Sequence, residues 1–135
     1  MTMNKGPRIL VADDMQMIRR ILKSSLQHAG LSDVSEAQDG EEVLGKLKHE
    51  AFDLIICDWE MPKLSGIDTL RAIRSDATHK DTPFVMVTTI SERDKVKSAI
   101  EAGINDYVVK PIQPEVFIKK ITSLLAELKL LPASA

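Results

Sequence analysis

The sequence predicts an open parallel α/β sheet made of five βα units. Three features point to it. Short β-rich runs recur at residues 8–12, 33–37, 54–57, 84–88 and 107–109, each bounded by polar or turn-forming residues. Helical patterns fill the gaps between them. Apolar runs such as Leu54-Ile55-Ile56-Cys57 lack alternation, which is how strands read when helices cover both faces of their sheet.

The first strand leads into a helix near residues 15–29, where Ile18, Ile21, Leu22 and Leu26 share one face and Gly30 is the stop signal. The strand at 33–37 precedes a weaker helix at 41–50. Further helices at 67–75 and 92–102 follow the third and fourth strands. Ser65-x-x-Asp68 and Ser91-x-x-Asp94 stand before them as variants of the capping box. After the last strand, Pro114 suits the first helical position, and Phe117, Ile121, Leu124, Leu125 and Leu128 form one stripe with Lys119, Lys120 and Lys129 off it. Only residues 1–7 and 131–135 read as untied, flexible ends, which leaves one domain over 8–130.

A chain of 135 residues suits one domain. At that length roughly two thirds of the unfolded surface is buried, so the core needs no staple. Cys57 has no second cysteine to pair with, and the chain opens without an apolar signal segment, so a reducing cytoplasm is the expected setting. Apolar runs such as 54–57 and 84–87 are far short of the roughly 20 residues of a membrane helix. With 18 Lys plus Arg against 20 Asp plus Glu, the net charge of -2 offers no basic excess for a nucleic acid backbone.

In a sheet of this kind function collects where the strands end and the following loops meet. The first strand ends in Asp13-Asp14, the third in Asp58, the fourth in Thr88-Thr89 and the fifth in Lys110-Pro111. These groups are far apart along the chain, and only their shared phase, one set after each strand, brings them together. Carboxylates about 5 Å apart repel by about 3 kcal/mol at an effective dielectric of about 20, and three would meet here. A hard divalent cation resolves that repulsion, and Mg²⁺ suits oxygen-only ligands combined with phosphate oxygens. An incoming phosphoryl group would then meet the Lys110 ammonium and the Thr88 hydroxyl, leaving Asp58 as nucleophile for an aspartyl phosphate. No glycine-rich phosphate cradle or Cys/His zinc spacing is present, and His28, His49 and His79 fall at helix ends or in loops.

The segments Ile9-Leu10-Val11-Ala12-Asp13-Asp14, Cys57-Asp58-Trp59-Glu60-Met61-Pro62, Met86-Val87-Thr88 and Ala102-Gly103, followed by Tyr107-Val108-Val109-Lys110-Pro111, carry a family resemblance. The chain resembles the receiver domain of bacterial two-component response regulators, most closely the single-domain chemotaxis (CheY-like) type. The resemblance covers about residues 8–130. It implies a doubly wound, flavodoxin-like sheet with strand order 2-1-3-4-5. It also implies phosphoryl transfer from a sensor histidine kinase to Asp58, with Mg²⁺ held by Asp13, Asp14, Asp58 and the backbone carbonyl of Glu60. Thr88 and Tyr107 would form the switch, and Lys110-Pro111 would carry a cis bond. The helix from Glu92, the last strand and the last helix would form the output surface, with Val96, Tyr107 and Lys120 as contacts.

On this reading the chain catalyses only its own phosphorylation and dephosphorylation. A chain ending here leaves no room for an effector, so the expected output is protein binding by a monomer, to a target such as a flagellar motor switch protein and to a phosphatase. The alternative is a phosphorelay shuttle that passes the group to a histidine phosphotransfer protein. From other classes, a flavin-binding module is disfavoured because Asp13-Asp14 would repel a flavin phosphate, and a metal-dependent phosphatase lacks a second acid and a lid.

Several side chains carry individual expectations. Glu60 would pair with Lys110, draw in metal or disturb a hydrolytic water, so an altered dephosphorylation rate is expected. Thr89 is bulkier than the small residue often found beside the switch hydroxyl, and Ser65 replaces a frequent Asp as a helix cap. Trp59 is expected at the pocket rim with its indole partly wet. Cys57 reads as a small core hydrophobe, and Met15 and Met17 as fillers between helix and sheet.

Overall fold

A computed structural model describes residues 6–89 and 93–130. Strands and helices alternate in the order β1 (Ile9–Ala12), α1 (Gln16–His28), β2 (Val34–Ala37), α2 (Gly40–Leu47), β3 (Leu54–Asp58), α3 (Gly66–Arg74), β4 (Phe84–Thr89), α4 (Arg93–Ala102), β5 (Asp106–Lys110) and α5 (Pro114–Glu127). All strand pairs are parallel, and the sheet order is β2-β1-β3-β4-β5, as the family resemblance implied.

The unalternating strands bury both of their faces, and the pleat divides their side chains between two cores. Leu10, Ala12, Ile55, Cys57, Phe84 and Met86 point toward α2, α3 and α4, where they meet Val43, Leu70, Ile73 and Ala99. Ile9, Val11, Leu54, Ile56, Val85 and Val87 point the other way, onto Leu22 and Leu26 of α1 and Phe117, Ile121 and Leu125 of α5. Val108 of β5 joins this second layer. Among the described residues no helix is long and apolar enough to cross a membrane.

Element boundaries differ from the sequence reading where long-range partners decide them. β3 continues to Asp58 and β4 to Thr89, and β5 spans Asp106–Lys110, because the ladder pairs Asp58 with Val87 and Thr89 with Lys110. α2 ends at Leu47 rather than at residue 50, and the Glu50 carboxylate is instead drawn 2.6 Å from the Arg8 guanidinium. Leu128 is the cap of α5 rather than part of its buried stripe, and remains 37% exposed. Gly30 has φ +86, the left-handed conformation a helix stop requires.

Helix starts follow local hydrogen bonding. The Ser65 hydroxyl accepts the Asp68 N–H at 3.3 Å, while the Asp68 carboxylate turns to Arg71, so this capping box is one-sided. A fuller cap that the sequence reading missed opens α2. There Asp39 accepts the Glu42 N–H at 2.8 Å, and Glu42 accepts the Gln38 N–H at 2.6 Å. Ser91 lies outside the described residues, as do 1–5 and 131–135.

One side chain ties three segments at the far end of α3. Arg74 donates to the carbonyls of Lys80 (3.0 Å), Thr82 (2.7 Å) and Gly103 (3.1 and 2.8 Å), and to the Asn105 side chain (3.3 Å). Burial lowers its pKa from the usual arginine value. Gly103 has φ +103, and a Cβ there would lie 3.0 Å from Arg74 Nε.

Candidate functional site

The parallel register aligns the carboxyl ends of β1, β3, β4 and β5 along one edge of the sheet. Asp13 follows β1 directly and is fully buried. One of its oxygens accepts the Met15 N–H at 2.9 Å and so shapes the turn into α1. The other, Oδ2, has no hydrogen-bond partner among the described residues and faces the Lys110 ammonium at 3.3 Å. Arg19 braces the same turn from α1, donating to the Asp13 carbonyl at 2.7 Å and to Glu36 at 2.9 Å. That guanidinium holds the Glu36 carboxyl below its usual range.

Asp58 is the last residue of β3, and its carboxylate is 3.0 Å from Lys110 Nζ. The start of α3 presses against this strand end: a Cβ at Gly66 would collide with the Asp58 carbonyl oxygen. Asp14 is exposed above the pair, and Asp13, Asp14 and Asp58 each offer an oxygen within 4.8 Å of the others. Lys110 ends β5 and is followed by a cis bond to Pro111.

The electrostatics are unbalanced. Burial, and then the Asp13 charge, push the Asp58 carboxyl up to about 6 despite Lys110. Asp13 is also raised, chiefly by burial. Burial pulls the Lys110 pKa down, but its pairing with Asp58 and its attraction to Asp13 outweigh that and leave it above its ordinary value. One ammonium thus serves two buried carboxylates and leaves an acceptor atom without a hydrogen bond. An all-oxygen donor set of this charge, with an orphaned buried oxygen, fits a hard divalent cation.

Thr88 is buried beside the β4 end, its hydroxyl donating to the Thr89 carbonyl at a long 3.4 Å. Tyr107 and Lys120 meet at the β5 edge, with Lys120 Nζ 4.7 Å from the ring centroid and 2.8 Å from the Tyr107 carbonyl oxygen. Val96 is half-buried on α4. Ile100 of α4, Val109 of β5 and Val116 of α5 add exposed apolar surface on those three elements.

Three expectations are corrected. Trp59 is only 6% exposed, not wet at a rim. Its N–H bonds to the Val87 carbonyl and its own carbonyl accepts the Gly66 N–H, which turns the indole into the core under α3 and α4. Glu60 does not pair with Lys110. Its carboxylate lies 3.2 Å from Lys95 of α4, whose ammonium also sits 5.7 Å from the Trp59 ring centroid. Met15 and Met17 do not fill gaps, being 54% and 69% exposed, Met15 as the N-cap of α1 and Met17 on its first turn. Cys57 is fully buried as expected, and burial pushes its thiol pKa well up.

Arg19, Gly66, Arg74 and Lys95 had not stood out in the sequence. For Gly66 a signal existed, since a glycine directly after a capping serine marks a helix start that approaches backbone closely. The other three act on partners distant in sequence.

An open parallel sheet with an acidic pocket and a lysine at its strand ends is the arrangement of a receiver module, and comparison with known proteins agrees. The model of the response regulator receiver domain matches residues 9–122. The chain is 43% identical over 114 residues to the chemotaxis protein CheY of Pseudomonas aeruginosa, covering 84% of this chain and 92% of that protein. It is 40% identical over 119 residues to the chemotaxis protein CheY1 of Helicobacter pylori, covering 87% and 96%. Among solved structures, the chemotaxis response regulator CheY4 of Vibrio cholerae superposes with a TM-score of 0.82 at 34% identity, covering 89% of this chain and 99% of that one. The chain therefore belongs to the receiver-domain family of two-component response regulators, and within it is similar to chemotaxis proteins of the CheY type.

Proposed function

We propose that the protein is a response regulator that accepts a phosphoryl group on Asp58 from a sensor histidine kinase and thereby changes which protein it binds. One observation carries the reading: among the described residues, two buried carboxylates share a single lysine at the strand ends, and Asp13 Oδ2 is left without a hydrogen bond. The side chains of Asp13, Asp14 and Asp58 with the Glu60 carbonyl would hold Mg²⁺. Such an ion neutralises the carboxylates and the phosphoryl oxygens.

The chain's own groups have distinct tasks. With its pKa near 6, Asp58 is mostly ionised at neutral pH and needs no base. Its oxygen forms the new O–P bond as the donor's N–P bond breaks, and the departing imidazole nitrogen keeps the electron pair and takes a proton. Lys110, already 3.0 Å from Asp58, pairs with a phosphoryl oxygen, and the Thr88 hydroxyl turns from the Thr89 carbonyl to donate to another. Tyr107 follows, and Val96, Tyr107 and Lys120 contact the target.

The relatives' chemotaxis names support a role in chemotaxis, and the reading adds a flagellar motor switch protein as target, a phosphatase that resets the state and a cytoplasmic setting. Intact mass after addition of Mg²⁺ and acetyl phosphate tests the reading. Wild type should gain one phosphoryl group and Asp58→Asn none, with a change in Trp59 fluorescence only in the wild type. A wild type that gains no mass overturns it.

A further inference from the structure

We propose that Lys120 is a positioning residue that sets the resting orientation of the Tyr107 ring from α5. The inference rests on the receiver reading, in which that ring moves on activation, and adds what holds it beforehand.

Three contacts fix the Lys120 ammonium. It lies 4.7 Å from the centroid of the Tyr107 ring, donates to the Tyr107 carbonyl at 2.8 Å, and is 3.6 Å from the Asp106 carboxylate. Its stem rises from a helix that cannot shift easily, since Phe117 and Ile121 on either side of it are fully buried. Tyr107 has the opposite character. It is half-buried on an edge strand, with β4 as the neighbour on one side of the sheet.

Of the three contacts, two belong to parts that stay when the ring turns. The carbonyl is backbone within the β5 ladder, and Asp106 is a separate side chain. Only the cation–π contact depends on where the ring lies. Of the Lys120 contacts, rotation of Tyr107 therefore gives up one and leaves the ammonium held by the other two, while the packing of the ring against the core is common to every Lys120 variant. The stronger that single contact, the fewer molecules carry the ring in its alternative orientation before any signal arrives. A half-exposed cation–π pair changes such a ratio by about two- to five-fold.

The chain has one tyrosine, so 3-fluorotyrosine places a single ¹⁹F label at Tyr107. Spectra of wild type, Lys120→Met and Lys120→Arg are recorded alone and with Mg²⁺ and beryllium trifluoride, while Trp59 fluorescence scores loading. Lys120→Met should move the resting signal toward its loaded position, with a population ratio changed about two- to five-fold. Lys120→Arg, which keeps a cation over the ring, should stay near wild type. A resting signal unmoved in Lys120→Met, or moved equally in both variants, overturns the proposal. A wild type whose ¹⁹F signal ignores confirmed loading also overturns it. If Trp59 reports no loading, the receiver reading fails, and the unloaded comparison of the three proteins still decides whether Lys120 holds the ring.

Discussion

Strand β1 is bracketed by two charge clusters that solve opposite problems. Just before it, Arg8 is shared among acidic and carbonyl groups: Glu50 at 2.6 Å, Asp33 at 3.6 Å and the Ala51 carbonyl at 3.1 Å, with its backbone N–H on Asp53 and its guanidinium 5.1 Å from the Phe52 ring centroid. The side chain is 40% exposed, so water completes what these partners leave. Just after the strand, Asp13 is buried, with one oxygen lacking a hydrogen bond and a second carboxylate nearby. The first cluster closes the fold. The second holds charge that the protein alone does not neutralise, and that is what makes it receptive to a cation and a phosphoryl group.

The sharpest test of the contrast removes a charge from the receptive end. Asp58→Asn should abolish phosphoryl uptake by intact mass, yet stabilise the metal-free fold near pH 7 by about 1–3 kcal/mol in urea unfolding. Loss of stability in that variant would mean the carboxylate is already well served.

Titration gives the next largest effect. Asp58 has its pKa raised to about 6, so between about pH 4 and pH 6 the unfolded chain has released this proton while the folded chain keeps it. Metal-free stability should therefore fall as pH rises through that window, by about 3 kcal/mol for a shift of about two units. Above it, Mg²⁺ at about a hundred times its Kd should restore about 2.7 kcal/mol. A flat profile from about pH 4 to pH 7, or a melting temperature indifferent to Mg²⁺, breaks the comparison.

At the other end of β1 the effect should be modest. Arg8→Met keeps the stem over Phe52 and should cost about 1 kcal/mol of stability, without changing the yield of phosphorylated protein.

Smallest of all is the rim pair of Glu60 and Lys95, both largely exposed, where an ion pair contributes about 0–1 kcal/mol. Glu60→Asn should leave the melting temperature within error while changing the phosphoryl lifetime several-fold. An unchanged lifetime removes Glu60 from any part in dephosphorylation.

The same contrast explains what could be read in the sequence. Asp13, Asp58 and Lys110 stood out because each sits at a fixed phase after an apolar run, and the fold converts shared phase into proximity. The strands were legible for a similar reason, since an unalternating run has to be covered on both faces. The paths of long side chains were not legible. Glu60 reaches Lys95, Arg19 reaches Glu36 and Glu50 reaches Arg8 across segments whose spacing exists only after folding. Trp59 was misplaced because its neighbour's chemistry suggested a wet position, whereas its backbone bonds to Val87 and Gly66 send the indole into the core.

The Arg74 clasp gives α4 the mechanics of a beam fixed at one end. Its last turn is fastened through Gly103 to a guanidinium that also grips the Lys80 and Thr82 carbonyls. Toward its beginning, the exposed ammonium of Lys95 on Glu60 is a far softer tether. A push from the strand ends would then meet its stiffest resistance near Gly103 and its softest near Lys95. Val96 lies toward the softly tethered end of that beam, Ile100 toward the fixed one.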